Sequence, residues 1–410
     1  MLEFIAEADR CLQCRNPRCR TGCPVGTDIP GAIRLLREDK LTQAALLLFD
    51  NNPLSLICSI VCDHSRQCEG RCVLGIKGKP VGWGNIERFI SDTCLGRLNF
   101  PQQPPTGRRA AIIGSGPAGL TAAIELAKCG HEVTIFEAEK ALGGMLRYGI
   151  PEFRLPRSVL DRYTALLKKA GIRLRLHTSV GSSIAIPDLL RDGYQAVFIA
   201  TGLWRAQPLN VPGESLPNVC YGIHYLASPE SFEIGKRLAV IGTGNTAIDV
   251  ARTAIHRGVE QVTLYARRGQ SAADPREIEL ARLEGARFHS GMQVVRITPE
   301  GPVFRRSRLD EAGNILALEP EELQEAADFT IIAASQGPKA KLLYTTEGLG
   351  GTEKGLLQVD EEGRTTVRGV FAAGDVVHGG RTVVEAVAGA KTAAAAMDRY
   401  LMECPDTREK

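Results

Sequence analysis

Twelve cysteines lie unevenly along the 410 residues: nine fall within the first 94, and only Cys129, Cys220 and Cys404 are spread over the rest. Eight of the nine form two tetrads, Cys11-x2-Cys14-x4-Cys19-x3-Cys23-Pro24 and Cys58-x3-Cys62-x5-Cys68-x3-Cys72. Thiolates at such short intervals suit a metal or a cluster, and eight suffice for two four-ligand sites. A disulfide framework needs an oxidising compartment, and the acidic start MLEFIAEAD lacks the basic region of a secretory leader. Two zinc sites would also use eight thiolates. The compact first tetrad and its Cys-Pro ending match the ferredoxin run instead, in which the fourth cysteine serves the other cluster. Cys94, Cys129, Cys220 and Cys404 stand singly and are expected to be small buried apolar residues.

Glycines carry the second kind of chemistry. In RRAAIIGSGPAGLTAAIELAKCGHEVTIFEAE a buried strand runs into Gly114-x-Gly116-x-x-Gly119, then a helix and a second strand. The first glycine allows a tight turn, the second lets the backbone approach a pyrophosphate, and the third lets the helix pack closely. Glu137 closes the second strand 21 residues after Gly116, where a carboxylate accepts hydrogen bonds from an adenosine ribose. The unit repeats 128 residues later as Gly242-x-Gly244-x-x-Ala247. There Ala266 takes the place of Glu137, and Arg267 and Arg268 follow it. Two cations and no acid suit a 2'-phosphate, so NADPH rather than NADH is expected. A third signal, Phe371-Ala-Ala-Gly374-Asp375-Val376, follows a short strand and precedes a helix start at Thr382. It would complete the first dinucleotide unit by bringing an aspartate to the flavin's sugar-alcohol chain. Glu385 is read as an acid stabilised in that helix's first turn rather than as a group facing the flavin ring.

Positioning these residues takes more than one domain. A chain of 410 residues predicts two to three domains. Between the tetrads, Ile33, Leu35, Leu36, Leu41, Ala44, Ala45 and Leu48 keep helical spacing, and strand signals are few. The turn-rich stretch 101–107 links this segment to the first glycine unit. With 50 Lys plus Arg against 47 Asp plus Glu, the formal charge is +3, far from the excess of a nucleic-acid binder. The longest apolar run, Ala44 to Phe49, is too short to cross a bilayer. A soluble, cytoplasmic protein is the expectation.

The order of Cys-x2-Cys-x4-Cys-x3-Cys-Pro, GSGPAG, GGMLRYGIPEFRLP (143–156), GTGNTAID and FAAGDV resembles the glutamate synthase small-subunit family. That family includes the N-terminal half of dihydropyrimidine dehydrogenase and the large subunit of bifurcating NADH-dependent ferredoxin:NADP oxidoreductase. The stretches FRLPRSVLD (153–161), DPREIELA (274–281) and TVVEAV look most like the pyrimidine-reducing members. The resemblance implies an α/β chain with two Rossmann-like nucleotide-binding domains preceded by a helical iron-sulphur domain. The boundaries expected are 1–106 for two 4Fe-4S clusters, 107–205 and 336–410 for FAD, and an inserted 206–335 for NADPH. One cluster would take Cys11, Cys14, Cys19 and Cys72. The other would take Cys23, Cys62, Cys68 and Glu87, the last from the motif Asn85-Ile-Glu87-Arg-Phe, leaving Cys58 spare. FAD would be held by Gly114, Gly116, Ala118, Gly119, Glu137, Gly144, Leu146, Arg154, Gly374, Asp375 and Thr382. NADPH would be held by Gly242, Gly244, Asn245, Thr246, Arg267 and Arg268. Ala-Ser-Gln-Gly (334–337) and Ala-Gly-Ala-Lys (388–391) depart from the family pattern.

NADPH delivers a hydride and clusters take single electrons, so a flavin must stand between them. No acid/base dyad or nucleophile is needed for that, and none is evident in the sequence. The expected function is electron input from NADPH through FAD and two clusters to a separate catalytic subunit, with a pyrimidine-reducing subunit first in line. The subunit is expected to be separate because nothing after the helix 382–401 supplies a second active site, and a glutamate synthase large subunit or a bifurcating partner is the alternative. A thioredoxin-reductase-like disulfide reductase would need a Cys-x-x-Cys that Cys129, Cys220 and Cys404 do not form. A zinc-bearing, nucleotide-sensing interaction protein is the non-enzymatic reading.

Overall fold

The computed structural model describes residues 2–98, 102–269, 271 and 273–404; Pro101 of the expected linker and residues Gln270 and Ala272 beside the arginine pair fall outside them. The chain divides into two compact units: one comprises the chain to Leu146, Glu152–Leu203 and the chain from Pro338; the other comprises Arg147–Pro151 and Trp204–Gly337.

In the first unit the cysteine-rich segment is helical: Leu2–Asp9, Ile29–Arg37, Leu41–Asn51, Ser55–Val61 and Trp83–Cys94, joined by single turns. Ile33, Leu48, Leu56, Ile57, Ile86 and Ile90 interlock as its core, each at most 1% exposed. The helical spacing from Ile33 to Leu48 is split into two helices. Asp39 adopts φ +58°, a conformation its short polar side chain tolerates, and the Lys40 N–H returns to the Leu35 carbonyl at 2.8 Å. Cys94 and Cys220 are buried as small apolar residues would be, but Cys129 and Cys404 are half-exposed. The Cys129 thiol has a polar partner, Asp398, which explains why it is not simply core.

The remainder of this unit is a five-stranded parallel sheet in the order Val370–Ala372, Ala196–Ile199, Arg109–Ile113, Glu132–Phe136, Arg173–Arg175. Its central strands are buried along nearly their whole length, as helix-covered parallel strands must be. The 21-residue helix Val383–Glu403 packs on Pro117–Lys128. His131 pins it, with one ring nitrogen 2.8 Å from Asp398 and the other 2.7 Å from Thr106. Lys391 ties the same helix to the cysteine-rich segment, donating to the Asn51 carbonyl at 2.6 Å.

The second unit repeats the plan with Val219–Tyr221, Phe329–Ile332, Arg237–Ile241, Gln261–Ala266 and Arg287–Ser290, all parallel. It adds an antiparallel three-stranded sheet, Met292–Thr298, Gly301–Leu309 and Ile315–Gln324. Buried Arg252 fastens the helix Pro275–Leu283 to Asn245–His256, donating to Glu277 at 2.5 Å and to Glu284 at 2.7 Å. Among the described residues no single helix is long and apolar enough to cross a membrane.

Candidate cofactor sites

Three separated segments converge on the first glycine loop. Gly116 caps the helix Pro117–Lys128, and no atom stands within 4 Å of where its Cβ would be. That opening at a helix N-terminus is where backbone amides receive a phosphate. Gly144, at φ +51°, lies against it: a Cβ there would stand 2.9 Å from the Gly116 Cα. Gly374, at φ +80°, meets the same helix end, its missing Cβ 2.9 Å from the Ala118 Cβ. Only glycine permits both the positive φ and the contact. Asp375 is thereby carried to the start of the helix. Burial raises its carboxyl to about 6, although the Arg381 N–H donates to it at 3.1 Å.

Glu137 follows the second strand directly and is 5% exposed. Its Oε2 accepts from the Ser115 N–H at 3.0 Å and from the Ser115 hydroxyl, and its Oε1 accepts from the Glu139 N–H at 2.9 Å. Three acceptances leave one lone-pair site on Oε1 for a ribose hydroxyl. Ser115, absent from the sequence reading, also takes the Gly143 N–H at 3.0 Å and so joins the glycine loop to the Gly143–Gly144 turn. Its signal was visible as the x of Gly-x-Gly, a position that carries no fixed meaning by itself. Leu146 is buried, Arg154 half-buried and Thr382 exposed. Thr382 caps the helix Val383–Glu403 and exchanges hydrogen bonds with Glu385, the role expected of that acid.

The second glycine loop has the same opening at Gly244, which begins the helix Asn245–His256. Ala266 ends its strand, and Arg267 and Arg268 stand exposed beyond it. Asn245 turns its Oδ1 to the Asp274 N–H at 3.0 Å, bracing the loop that enters the next helix, while Thr246 is half-buried. A cavity of about 760 Å³ runs from Thr243 past Ala266 and Gly269 to Ser290. Its far wall holds Arg282, whose guanidinium lies 5.1 Å from the Phe288 ring centre. These two residues were not foreseen, because they come from a helix and a strand that follow the arginine pair.

The thiols gather as two sets, each drawn from both tetrads. Burial raises Cys11, and the charges of Cys14 and Cys72 raise it further. Burial likewise takes Cys19 to about 11, with Cys72 and Cys11 adding to it. In the other set burial raises Cys68, which also feels Glu87 and Cys23. Glu87 is 5% exposed on the helix Trp83–Cys94; burial holds its carboxyl well above the usual range, and Cys58 adds to that. Cys62 shares a hydrogen bond with Cys58 and lies in the field of Glu87 and Cys68. Cys58 therefore sits beside this second set, giving five candidate ligands for four places. Groups raised by burial and by one another's charge are what a cationic iron core would relieve, so the donor chemistry fits a cluster. Among the described residues no three His, Cys, Asp or Glu side chains stand close enough for one ion. Tyr163, fully buried on the helix Arg157–Lys169, lies in the field of Cys58 and Glu87 and connects this set to the rest of the unit.

The family of pyridine nucleotide-disulphide oxidoreductases matches residues 108–390. Residues 2–97 match the family described as dihydropyrimidine dehydrogenase domain II, 4Fe-4S cluster. The glutamate synthase (NADPH) small chain of Halomonas elongata is 34% identical, over 93% of this chain and 87% of its own length. The NADP(+)-dependent formate dehydrogenase subunit beta of Moorella thermoacetica is 33% identical, over 94% of this chain and 60% of its own length. Among solved structures, Mycobacterium tuberculosis FprA in complex with NADPH superimposes with a TM-score of 0.61 at 19% identity, covering 75% of this chain and 88% of that one. That last likeness is one of fold.

Proposed function

The chain belongs to the pyridine nucleotide-disulphide oxidoreductases, in the glutamate synthase small-chain family, and from that membership we propose that it feeds electrons from NADPH to a partner catalytic subunit. It is an oxidoreductase of FAD, NADPH and 4Fe-4S clusters. The observation that carries the export reading is the placement of both thiol sets in the same compact unit as the first glycine loop. Within that unit Lys391, on the helix Val383–Glu403, bonds to the cysteine-rich segment, and Tyr163, on the helix Arg157–Lys169, lies beside Cys58 and Glu87.

We assign FAD to the Gly114–Gly119 loop, Glu137, Gly144, Leu146, Arg154, Gly374, Asp375 and Thr382, and NADPH to Gly242, Gly244, Asn245, Thr246, Arg267 and Arg268. Bound FAD accepts a hydride and releases single electrons, the exchange that joins a nicotinamide to iron-sulphur clusters. The chain's residues contribute position: the Gly116 and Gly244 amides receive phosphates, Glu137 orients a ribose and the arginines neutralise a 2'-phosphate. We assign one cluster to Cys11, Cys14, Cys19 and Cys72, and the other to Cys23, Cys62, Cys68 and Glu87. Anaerobically purified protein should hold about eight irons and no stoichiometric zinc. Cys72→Ser should lose half of the iron and Cys58→Ser none. Iron loss in Cys58→Ser, with none in Glu87→Ala, would return the second site to the thiol.

For the partner we propose a pyrimidine-reducing subunit, supported by the match of residues 2–97 and by the stretch 153–161. A glutamate synthase large chain is the second reading, favoured by the 34% identity along almost the whole chain. The chain alone should reduce neutral dyes with NADPH and leave uracil untouched. Uracil reduction on adding the partner supports the first reading, conversion of glutamine and 2-oxoglutarate supports the second, and uracil reduction by the lone chain overturns both.

A further inference from the structure

The two thiol sets differ in their surroundings. Cys68 and Glu87 of one are buried, with Tyr163 close by. Around the other, two large apolar side chains stand in solvent: Leu12, 59% exposed, between Cys11 and Cys14, and Ile76, 66% exposed, four residues after Cys72. Arg15 and Arg18 flank the first, and Arg71, Lys77 and Lys79 the second; all five are exposed, and among the described residues none has an ion-pair partner. The two segments form one surface. Arg10 donates to the Lys79 carbonyl at 2.6 Å, and Arg71 packs its stem over Gly22, whose Cβ would stand 2.6 Å from the Arg71 Cγ. No acidic residue occurs from 10 to 27, and the one acid between 64 and 82, Glu69, is buried and accepts from the Gly84 N–H at 2.9 Å.

Apolar residues ringed by unpaired cations are the pattern of a docking site: the centre gives affinity, and the charged rim selects and steers the partner. We propose that this rim, beside Cys11, Cys14, Cys19 and Cys72, is where the electron-accepting protein docks, and that the accepting protein presents an acidic face with an apolar centre. The proposal rests on the export reading above. Each NADPH gives up a hydride, becoming NADP+ and releasing two electrons and one proton, so two one-electron acceptors are reduced per nucleotide.

The test uses the holoprotein with two one-electron probes, an acidic plant-type ferredoxin and the basic cytochrome c, and with the neutral quinone menadione as a flavin-level control. Dissociation constants by calorimetry and NADPH-driven reduction rates are measured at low and high salt. Ferredoxin should bind, weakening about tenfold or more at high salt, with its reduction rate falling in step. Arg15→Glu with Lys77→Glu should impose a similar loss at low salt, leaving iron content and menadione reduction unchanged. Lys77→Glu with Lys79→Glu, five and seven residues beyond Cys72, repeats the test should the first pair shed iron. Equal binding and reduction of both probes, indifferent to salt and to the variants, overturns the docking site and leaves export standing. Menadione reduction with no electron reaching either protein overturns export and the docking site with it.

Discussion

The chain builds one dinucleotide loop twice and finishes it in opposite ways. After the first, Glu137 is buried and held by Ser115 and Glu139; after the second, Ala266 gives way to two exposed arginines. Both loops offer the same helix N-terminus to a pyrophosphate, so the common chemistry lies in the backbone. What distinguishes the two loops lies at the end of the second strand. Gly144 and Gly374 also pack against the first loop, and a cavity lined by Arg282 and Phe288 lies beside the second.

The largest effect that would break this contrast is in the second loop. A hydrogen bond to a charged group contributes about 1.5–3 kcal/mol, roughly 10- to 150-fold per arginine. Arg267→Ala with Arg268→Ala should therefore weaken NADPH binding at least a hundredfold by calorimetry, with NADH almost unaffected and flavin content intact. Equal affinity of the unaltered protein for both nucleotides would remove the assignment.

Next comes the acid of the first loop. Glu137→Ala removes a charged acceptor and leaves the Ser115 N–H without its partner. FAD retention on gel filtration should fall by about 10- to 100-fold in affinity, while NADPH binding to the second unit holds. Loss of both would show that the two loops do not act separately.

A matched pair of glycine changes sharpens the comparison further. Gly144→Ala forces a Cβ to 2.9 Å from the Gly116 Cα at φ +51°, and should destabilise the apoprotein by about 1–3 kcal/mol in denaturant melts. Gly244→Ala meets nothing within 4 Å. It should leave apoprotein stability within about 0.5 kcal/mol yet weaken NADPH binding, because the methyl occupies the pyrophosphate's approach.

The smallest effect is a pH dependence. Asp375 is raised from 3.8 to about 6 by burial. A carboxyl raised on folding contributes stability below its unfolded value that is lost as pH rises through about 6. Asp375→Asn should thus stabilise the apoprotein by about 1–2 kcal/mol at pH 7.5 and by little at pH 4, by thermal melts across pH. An unchanged pH profile would mean that Asp375 is solvated.

Sequence alone made both glycine loops, their strands and the helix start at Thr382 legible, because those signals are local: short unbroken apolar runs, a glycine-rich turn and an acid in a helix's first turn. The break at Asp39 was not legible, since helical spacing continues across it and the turn is a single residue in a tolerated left-handed conformation. The antiparallel sheet 292–324 carried no chemistry to draw attention to it. Arg282 and Phe288 come to line the cavity beside the second glycine loop through the packing of their helix and strand, which no motif records.

The kinds of chemistry available to this protein were already settled by residue type and spacing: thiolates for iron, an acid after one glycine loop, and cations after the other. Tertiary structure alone decided which groups share a place. Cys72 joins Cys11, and Glu87 and Cys58 both stand beside Cys62, while Gly144 and Gly374 close on a loop that precedes them. Spacing governs what a short segment can do because backbone geometry is local. Distant segments meet only where burying their apolar faces outweighs the entropy of ordering the chain between them, and that balance belongs to the whole fold.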